Sequence, residues 1–215
     1  YRTGIFGKWH LGDESEFLPH EQGFQESFYI NKSNNQTKKL WRRDKIVKDP
    51  FDNRRLTEEF TNEAVSFIEA NKDNPFFLYV PYSAPHFPVQ AHPDWKGKSD
   101  YGSYGDVVEE MDARIGEILN TLKKEGLEKK TLVIFCSDNG PEPLTKESLA
   151  KPFRGKKWSS LEGGTRVPCI LIWPGVLSAG REIDEMISAM DLLPTLADVC
   201  RIDLTKHSSD RLPID

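Results

Sequence analysis

The chain has 215 residues, 37% of them hydrophobic and 29% charged, with a formal net charge of −5. That describes a soluble globular chain long enough for a sizeable core, and the slight acidity argues against a general nucleic-acid binder. No apolar run approaches the roughly 20 residues of a membrane-spanning helix, and three cysteines without C-x-x-C spacing support neither a disulfide framework nor a zinc site.

Tyr1 opens directly onto a short apolar stretch, residues 3–8, with no initiator Met, signal segment or polar tail. The chain therefore reads as a fragment. Residues 13–55 are polar and irregular, with "NKSNNQTKK" and the basic "WRRDK", and suit a surface insertion. From Leu56 the spacing becomes helical. Leu56, Phe60, Ala64, Phe67 and Ile68 share one face, and Glu58 and Glu59 sit in the first turn, where they suit the helix dipole. "PFFLYVPY" (75–82) reads as a buried strand. Val107, Met111, Ile115, Ile118, Leu119 and Leu122 give a second amphipathic helix, with Gly126 as its stop. "TLVIFCSDNG" (131–140) is a β-branched run ending in a turn, and "VPCILIWPG" (167–175) reads as another buried strand. "MDLLPTLADVC" (190–200) reads as a short helix with Pro194 in its first turn. Apolar strands alternating with helices predict an α/β domain: a mainly parallel, mixed sheet with helices on both faces.

In such sheets ligands bind beyond the carboxyl ends of the strands. Lys8 and His10 follow the first strand, His86 in "SAPHFP" follows the second, and Asp138 and Asn139 follow the third. If the chain stays extended through Trp9, period-two alternation points Lys8 and His10 to one side. Each residue has an ordinary explanation when taken alone. A single Lys or His is usually surface, Asp-Asn-Gly is usually turn chemistry, and His86 between prolines suits a rigid turn. Turn chemistry does not explain why three strands bring cation, imidazole and oxygen ligands to one edge. "FRGKKWSSLEGGTRVP" (153–168) adds Arg154, Lys156 and Lys157, a basic cluster that can hold an anion or simply be solvated. It is not a phosphate-binding P-loop, because neither Lys8 nor Lys156 precedes Ser or Thr.

These residues resemble a family. "GIFGKWHLG" is similar to the second signature of the sulfatases, and "PYSAPHFPVQ", "CSDNGP", "GKKWSSLEGGTRVPCILIWPG" and "DLLPTL" follow in that family's order. The whole resembles the arylsulfatase and N-acetylgalactosamine-6-sulfatase-like branch of the alkaline-phosphatase superfamily. The resemblance implies that Lys8 contacts the sulfate and a hydrated aldehyde nucleophile. It implies that His10 is the base on that nucleophile's second hydroxyl, and that His86 hydrogen-bonds the ester oxygen of the leaving group. Lys157, five residues before Glu162, matches the remaining family lysine better than Lys156. Asp138 and Asn139 would be oxygen ligands of a calcium ion, or of magnesium.

The family's nucleophile is a formylglycine made within C/S-x-P-x-R, and its first strand carries an adjacent Asp-Asp metal pair. Neither sequence occurs here. The expectation is a partial catalytic domain over 1–215, with the nucleophile segment upstream and the C-terminal subdomain barely begun at Asp215. The parent would be an exported sulfatase acting on a sulfated small molecule or glycan. The alternatives are a phosphomonoester or phosphonate hydrolase of the same superfamily, or a non-catalytic binder of sulfated glycans. If the resemblance holds, Lys8, His10, His86, Asp138, Asn139 and Lys157 converge on one pocket.

Overall fold

The computed structural model describes residues 1–207, in two compact units, Tyr1–Leu177 and the segment from Ser178 onward. Strand β1 (Arg2–Lys8) organises the first unit. Its adjacent apolar residues Ile5 and Phe6 face opposite sides, as strand geometry requires. Phe6 joins Phe28, Ile30, Leu40, Phe60 and Phe67 in the main core, whereas Ile5 joins Trp9 and Tyr29 in a second cluster bordered by Phe24 and Trp41.

Beside β1 on one side lies β2 (Glu26–Ile30), parallel to it, and beyond β2 lie β3 (Leu40–Arg42) and β4 (Lys45–Lys48), both paired antiparallel. This corrects the reading of residues 13–55 as a surface insertion. Phe28, Tyr29, Ile30 and Leu40 are buried core residues. The strand ESFYI is too short to stand out against its polar flanks, and even Ser33 and Asn34 in the adjoining turn are buried.

Helix α1 (Leu56–Asn71) packs on β1 and β2 through Phe60, Ala64, Phe67 and Ile68. Phe60 and Phe67 meet Phe28 and Phe6 edge-on, with ring centroids 6.1 and 5.7 Å apart, a favoured aromatic geometry. β5 (Phe76–Tyr79) pairs parallel with β1 and forms the other edge of the sheet. Its alternate side chains are exposed, as an edge strand allows, so it is less buried than its apolar run predicts. Helix α2 (Gly102–Lys124) lies against α1. Lys72–Glu125 (2.9 Å) and Lys124–Glu69 (3.1 Å) pair across the two helices. α2 ends as predicted at Gly126. Leu127 N–H reaches Leu122 O (2.8 Å) and Gly126 N–H reaches Lys123 O (3.1 Å), the paired bonds of a Schellman stop.

β6 (Val133–Cys136) and β7 (Cys169–Ile172) form a separate antiparallel ribbon, with the short helix α3 (Glu162–Thr165) between them in sequence. β7 is exposed throughout, against the expectation of a buried strand. Among the described residues it pairs with β6 alone, and an apolar run is buried only where another layer covers it. In the second unit, Ser188 and Asp191 form a capping box ahead of α4 (Leu192–Val199), which carries Pro194 in its first turn. The expectation placed on Asp215 lies outside the described residues. Among the described residues no helix is long and apolar enough to cross a membrane.

Phe60 is fully buried at the junction of α1 and β2. Phe60→Ala is expected to cost about 3–5 kcal/mol of stability, read from the shift of a denaturant-unfolding midpoint. A loss below about 1 kcal/mol, the range of ordinary surface substitutions, would contradict this packing.

Candidate active site

Lys8 is the last residue of β1, and its N–H donates to Pro81 O at 2.7 Å. Gly7 lies flat against that carbonyl, where any Cβ would overlap it. Glycine here lets the segment after β5 approach β1 closely. The next residue, Trp9, is buried, and its indole N–H donates to Phe17 O at 2.8 Å. At His10 the backbone turns to φ 53°, and His10 N–H donates to Asn31 O at 3.2 Å. The chain therefore leaves the extended conformation at His10, one residue beyond Trp9. A left-handed histidine is uncommon outside constrained sites; here the anchored Trp9 and the Asn31 carbonyl fix it.

His86 sits in the loop after β5. Its N–H donates to Ser83 O (3.0 Å), and its ring stacks on Phe87 with centroids 4.9 Å apart. Its Nδ1 lies 2.7 Å from Phe87 O. A carbonyl only accepts, so Nδ1 carries the hydrogen and Nε2 keeps the lone pair. The loop is fastened from outside. Asn53 donates to Pro88 O (3.1 Å), and the buried Glu110 accepts from His92 N–H (2.7 Å).

Asp138 and Asn139 follow β6. The Asn139 amide donates to Gly140 O at 2.9 Å, leaving its Oδ1 as an acceptor. Gly140 N–H donates to Gly164 O (2.9 Å), and Lys157 N–H donates to Pro141 O (3.0 Å). At Gly140, Gly163 and Gly164 a Cβ would run into neighbouring carbonyl oxygens. The "EGG" sequence thus lets the turn after β6 and the lysine loop lie backbone to backbone. Lys157 is half-buried, 3.8 Å from Glu142, with its ammonium 5.2 Å from the Trp158 ring centroid. Lys156 instead donates to Ser148 O at 3.3 Å.

Charge effects show which of these groups meet. Burial lowers the Lys8 pKa from its ordinary value; Asp138 opposes that shift and Lys157 adds to it. His86 is lowered chiefly by burial, against the Phe87 hydrogen bond, with Lys8 and Lys157 pushing further down and Glu142 opposing. His10 is lowered by burial first, then by Lys8, with Asp13 opposing and His86 and Lys32 contributing. Lys8 thus lies within electrostatic reach of His10, His86, Asp138 and Lys157, and His86 within reach of His10 and Lys157, although these residues come from four stretches of sequence. Asn139 adjoins them through the chain.

Sequence reasoning missed Glu142, which balances Lys157. It also missed the Asp13, Asn31 and Lys32 cluster beside His10, in which Lys32 pairs with Asp13 at 2.6 Å and Asn31 donates to Asp13 at 2.9 Å. Ordinary polar residues in a loop give no local signal of either role.

Two ammonium groups beside two imidazoles kept neutral make a site that attracts an anion and offers proton acceptors next to it. The Asp138 carboxylate and the Asn139 amide oxygen are hard donors suited to a hard cation, and they supply two of the six to eight oxygens such a cation takes. Among the described residues no group of three His, Cys, Asp or Glu side chains is gathered as a complete metal site.

The sulfatase family model matches residues 1–202. The N-acetylgalactosamine-6-sulfatase of Mus musculus is 36% identical over 234 residues, covering 99% of this chain and 44% of that protein. The arylsulfatase of Hemicentrotus pulcherrimus is 33% identical over 223 residues, covering 93% of this chain and 40% of that protein. The crystal structure of Ps i-CgsB in complex with k-i-k-neocarrahexaose superposes with a TM-score of 0.82 at 33% identity, covering 96% of this chain and 52% of that one. The chain therefore spans less than half the length of these two curated relatives.

Removing the Lys8 charge should raise the imidazole titration midpoints of both His10 and His86, because that charge pushes both down. Proton NMR titration of the Lys8→Met variant checks this. Midpoints unchanged from wild type would mean that the three groups do not share a pocket.

Proposed function

This chain belongs to the sulfatase family, and we propose that it supplies the sulfate-binding and proton-transfer residues of an enzyme that hydrolyses sulfate esters. What supports the reading is that the Lys8 charge acts on both His10 and His86 and that Lys157 acts on Lys8 and His86. A sulfate ester is a small anion that gathers negative charge on its leaving oxygen during cleavage, and fixed cations lower that barrier.

In this reading the Lys8 and Lys157 ammonium groups hold the sulfate oxygens. His10, kept neutral by burial and by Lys8, accepts a proton from the nucleophile. His86, once Nε2 has taken up a proton, donates from that nitrogen, the one not engaged with Phe87 O, to the ester oxygen. A formylglycine, when present, supplies the attacking hydroxyl; no C/S-x-P-x-R sequence for it occurs in this chain. Asp138 and Asn139 would hold a calcium or magnesium ion, which adds positive charge against the sulfate. The assignment of 1–215 as part of a catalytic domain, and export of the protein, belong to the same proposal and draw on the family resemblance.

We favour a sulfated glycan as substrate. A cavity of about 400 Å³ is lined by Asp13, Asn31, Lys32, Lys38, Lys39 and Trp41 among others. Asp13 and Lys32 also act on His10. Its aromatic ring, amide and ammonium groups suit an anionic sugar more than a small aryl group. The similar protein in complex with k-i-k-neocarrahexaose supports the same direction.

Titration calorimetry of the chain with inorganic sulfate tests the anion site. Lys8→Ala and Lys157→Ala are each expected to weaken binding about tenfold, or about 1.4 kcal/mol. Unchanged affinity in both variants would overturn the site, and a marked preference for phosphate would favour the phosphoester alternative.

The isolated chain is expected to show no turnover of 4-nitrophenyl sulfate, because positioned lysines and histidines without a nucleophile form no covalent intermediate. Turnover that survives purification to constant specific activity would contradict this.

A further inference from the structure

We propose that Cys136 and Cys169 are a disulfide-forming pair that staples β6 to β7. The inference is independent of the sulfatase reading and rests on register. Cys136, the last residue of β6, lies directly opposite Cys169, the first residue of β7. Both are exposed thiols. They are 33 residues apart in sequence (169 − 136), with no spacing that would announce them, so only the antiparallel pairing reveals them.

Which kind of pair they form decides the chemistry. The next pair along is Ser137 and Pro168, and Ser137 N–H donates to Pro168 O at 3.3 Å. Ser137 and Pro168 therefore occupy a hydrogen-bonded position. Antiparallel ladders alternate, so Cys136 and Cys169 occupy a non-hydrogen-bonded one, where opposite Cα atoms are about 4.5 Å apart and side chains are closest. That falls within the roughly 4.4–6.8 Å that disulfides span between Cα atoms. It lies at the short end, and exposed, strained bonds of this type are the readily reduced ones. The cross-link would therefore be convertible rather than permanent.

The partner reagent is a low-molecular-weight disulfide. One cysteine thiolate attacks a sulfur of that reagent, breaking its S–S bond and releasing the first thiol. The second cysteine thiolate then displaces the other half, forming the Cys136–Cys169 bond and releasing a second thiol. The two cysteines are oxidised and the reagent is reduced, and the two cysteine protons end on the released thiols. The bond would fix the end of β6 immediately before Ser137, Asp138 and Asn139, and so limit movement of that turn.

The test treats the folded chain with oxidised glutathione at mildly alkaline pH, blocks remaining thiols, and maps the peptides by mass spectrometry. The peptides containing Cys136 and Cys169 are expected to be joined and to separate on reduction. Cys200→Ser should keep that link. Cys136→Ser and Cys169→Ser should each leave the remaining partner carrying a glutathione adduct; both sites are exposed, so both variants should fold, which circular dichroism checks. Separate adducts on Cys136 and Cys169 in the unsubstituted chain, a link to Cys200 instead, or no reaction at all would each overturn the proposal.

Discussion

Lys8 and Lys157 are held close enough that the second helps to push the first toward losing its proton. Like charges do not gather by themselves, so the scaffold must impose the contact and supply the free energy that it costs. It does so through backbone. Lys8 N–H is fixed to Pro81 O, with Gly7 lying against that carbonyl, and Lys157 N–H is fixed to Pro141 O within a knot where Gly140, Gly163 and Gly164 leave no room for a Cβ. Side-chain attraction plays a smaller part. Glu142 lies 3.8 Å from Lys157, and Asp138 offsets part of the repulsion at Lys8.

The rigidity behind that constraint comes from the core beneath β1. The strand is the common neighbour of β2 and β5, so its carboxyl end moves only if the sheet moves. Its two faces are held by different means. Phe6 packs into the aromatic core under α1, while Ile5 and Tyr29 pack with Trp9, which is anchored in turn to Phe17 O. The His86 loop depends less on apolar packing. It is tied to the Asn53 amide before α1 and to the buried Glu110 of α2, so the helices position a histidine that neither of them carries.

Much of this was legible in the sequence where a feature repeats or stops abruptly. The face of α1 could be read from Leu56, Phe60, Ala64, Phe67 and Ile68, and the end of α2 from Gly126. Five of the six candidate residues could be singled out because they follow strands, whereas Lys157 stood in a basic loop and was preferred to Lys156 only through the family motifs, which gave all six their roles. β2 was not legible, because five residues flanked by Asn, Lys and Ser present no period long enough to register. The exposure of β7 was not legible either, since an apolar run reports what a strand could bury and not what covers it. The left-handed turn at His10 depends on a long-range bond to Asn31 O, which no local pattern encodes. The facing of Cys136 and Cys169 likewise exists only once β6 and β7 have paired.

The same electrostatics bear on how such a site would respond to its ligand. With the site empty, burial and the lysine charges keep both imidazoles below their ordinary pKa, so each is ready to accept a proton but is a weak base. An anion seated between Lys8 and Lys157 opposes the lysine contribution and moves both imidazoles back up. The histidines thereby become stronger bases only when something negative is bound, which couples their proton affinity to occupancy without any change of shape. The two lysines then have two effects of opposite timing: before binding they hold the histidines unprotonated, and after binding their charge is spent on the anion. A site built from one lysine would have less of both, which is a physical reason for the chain to hold two repelling ammonium groups together.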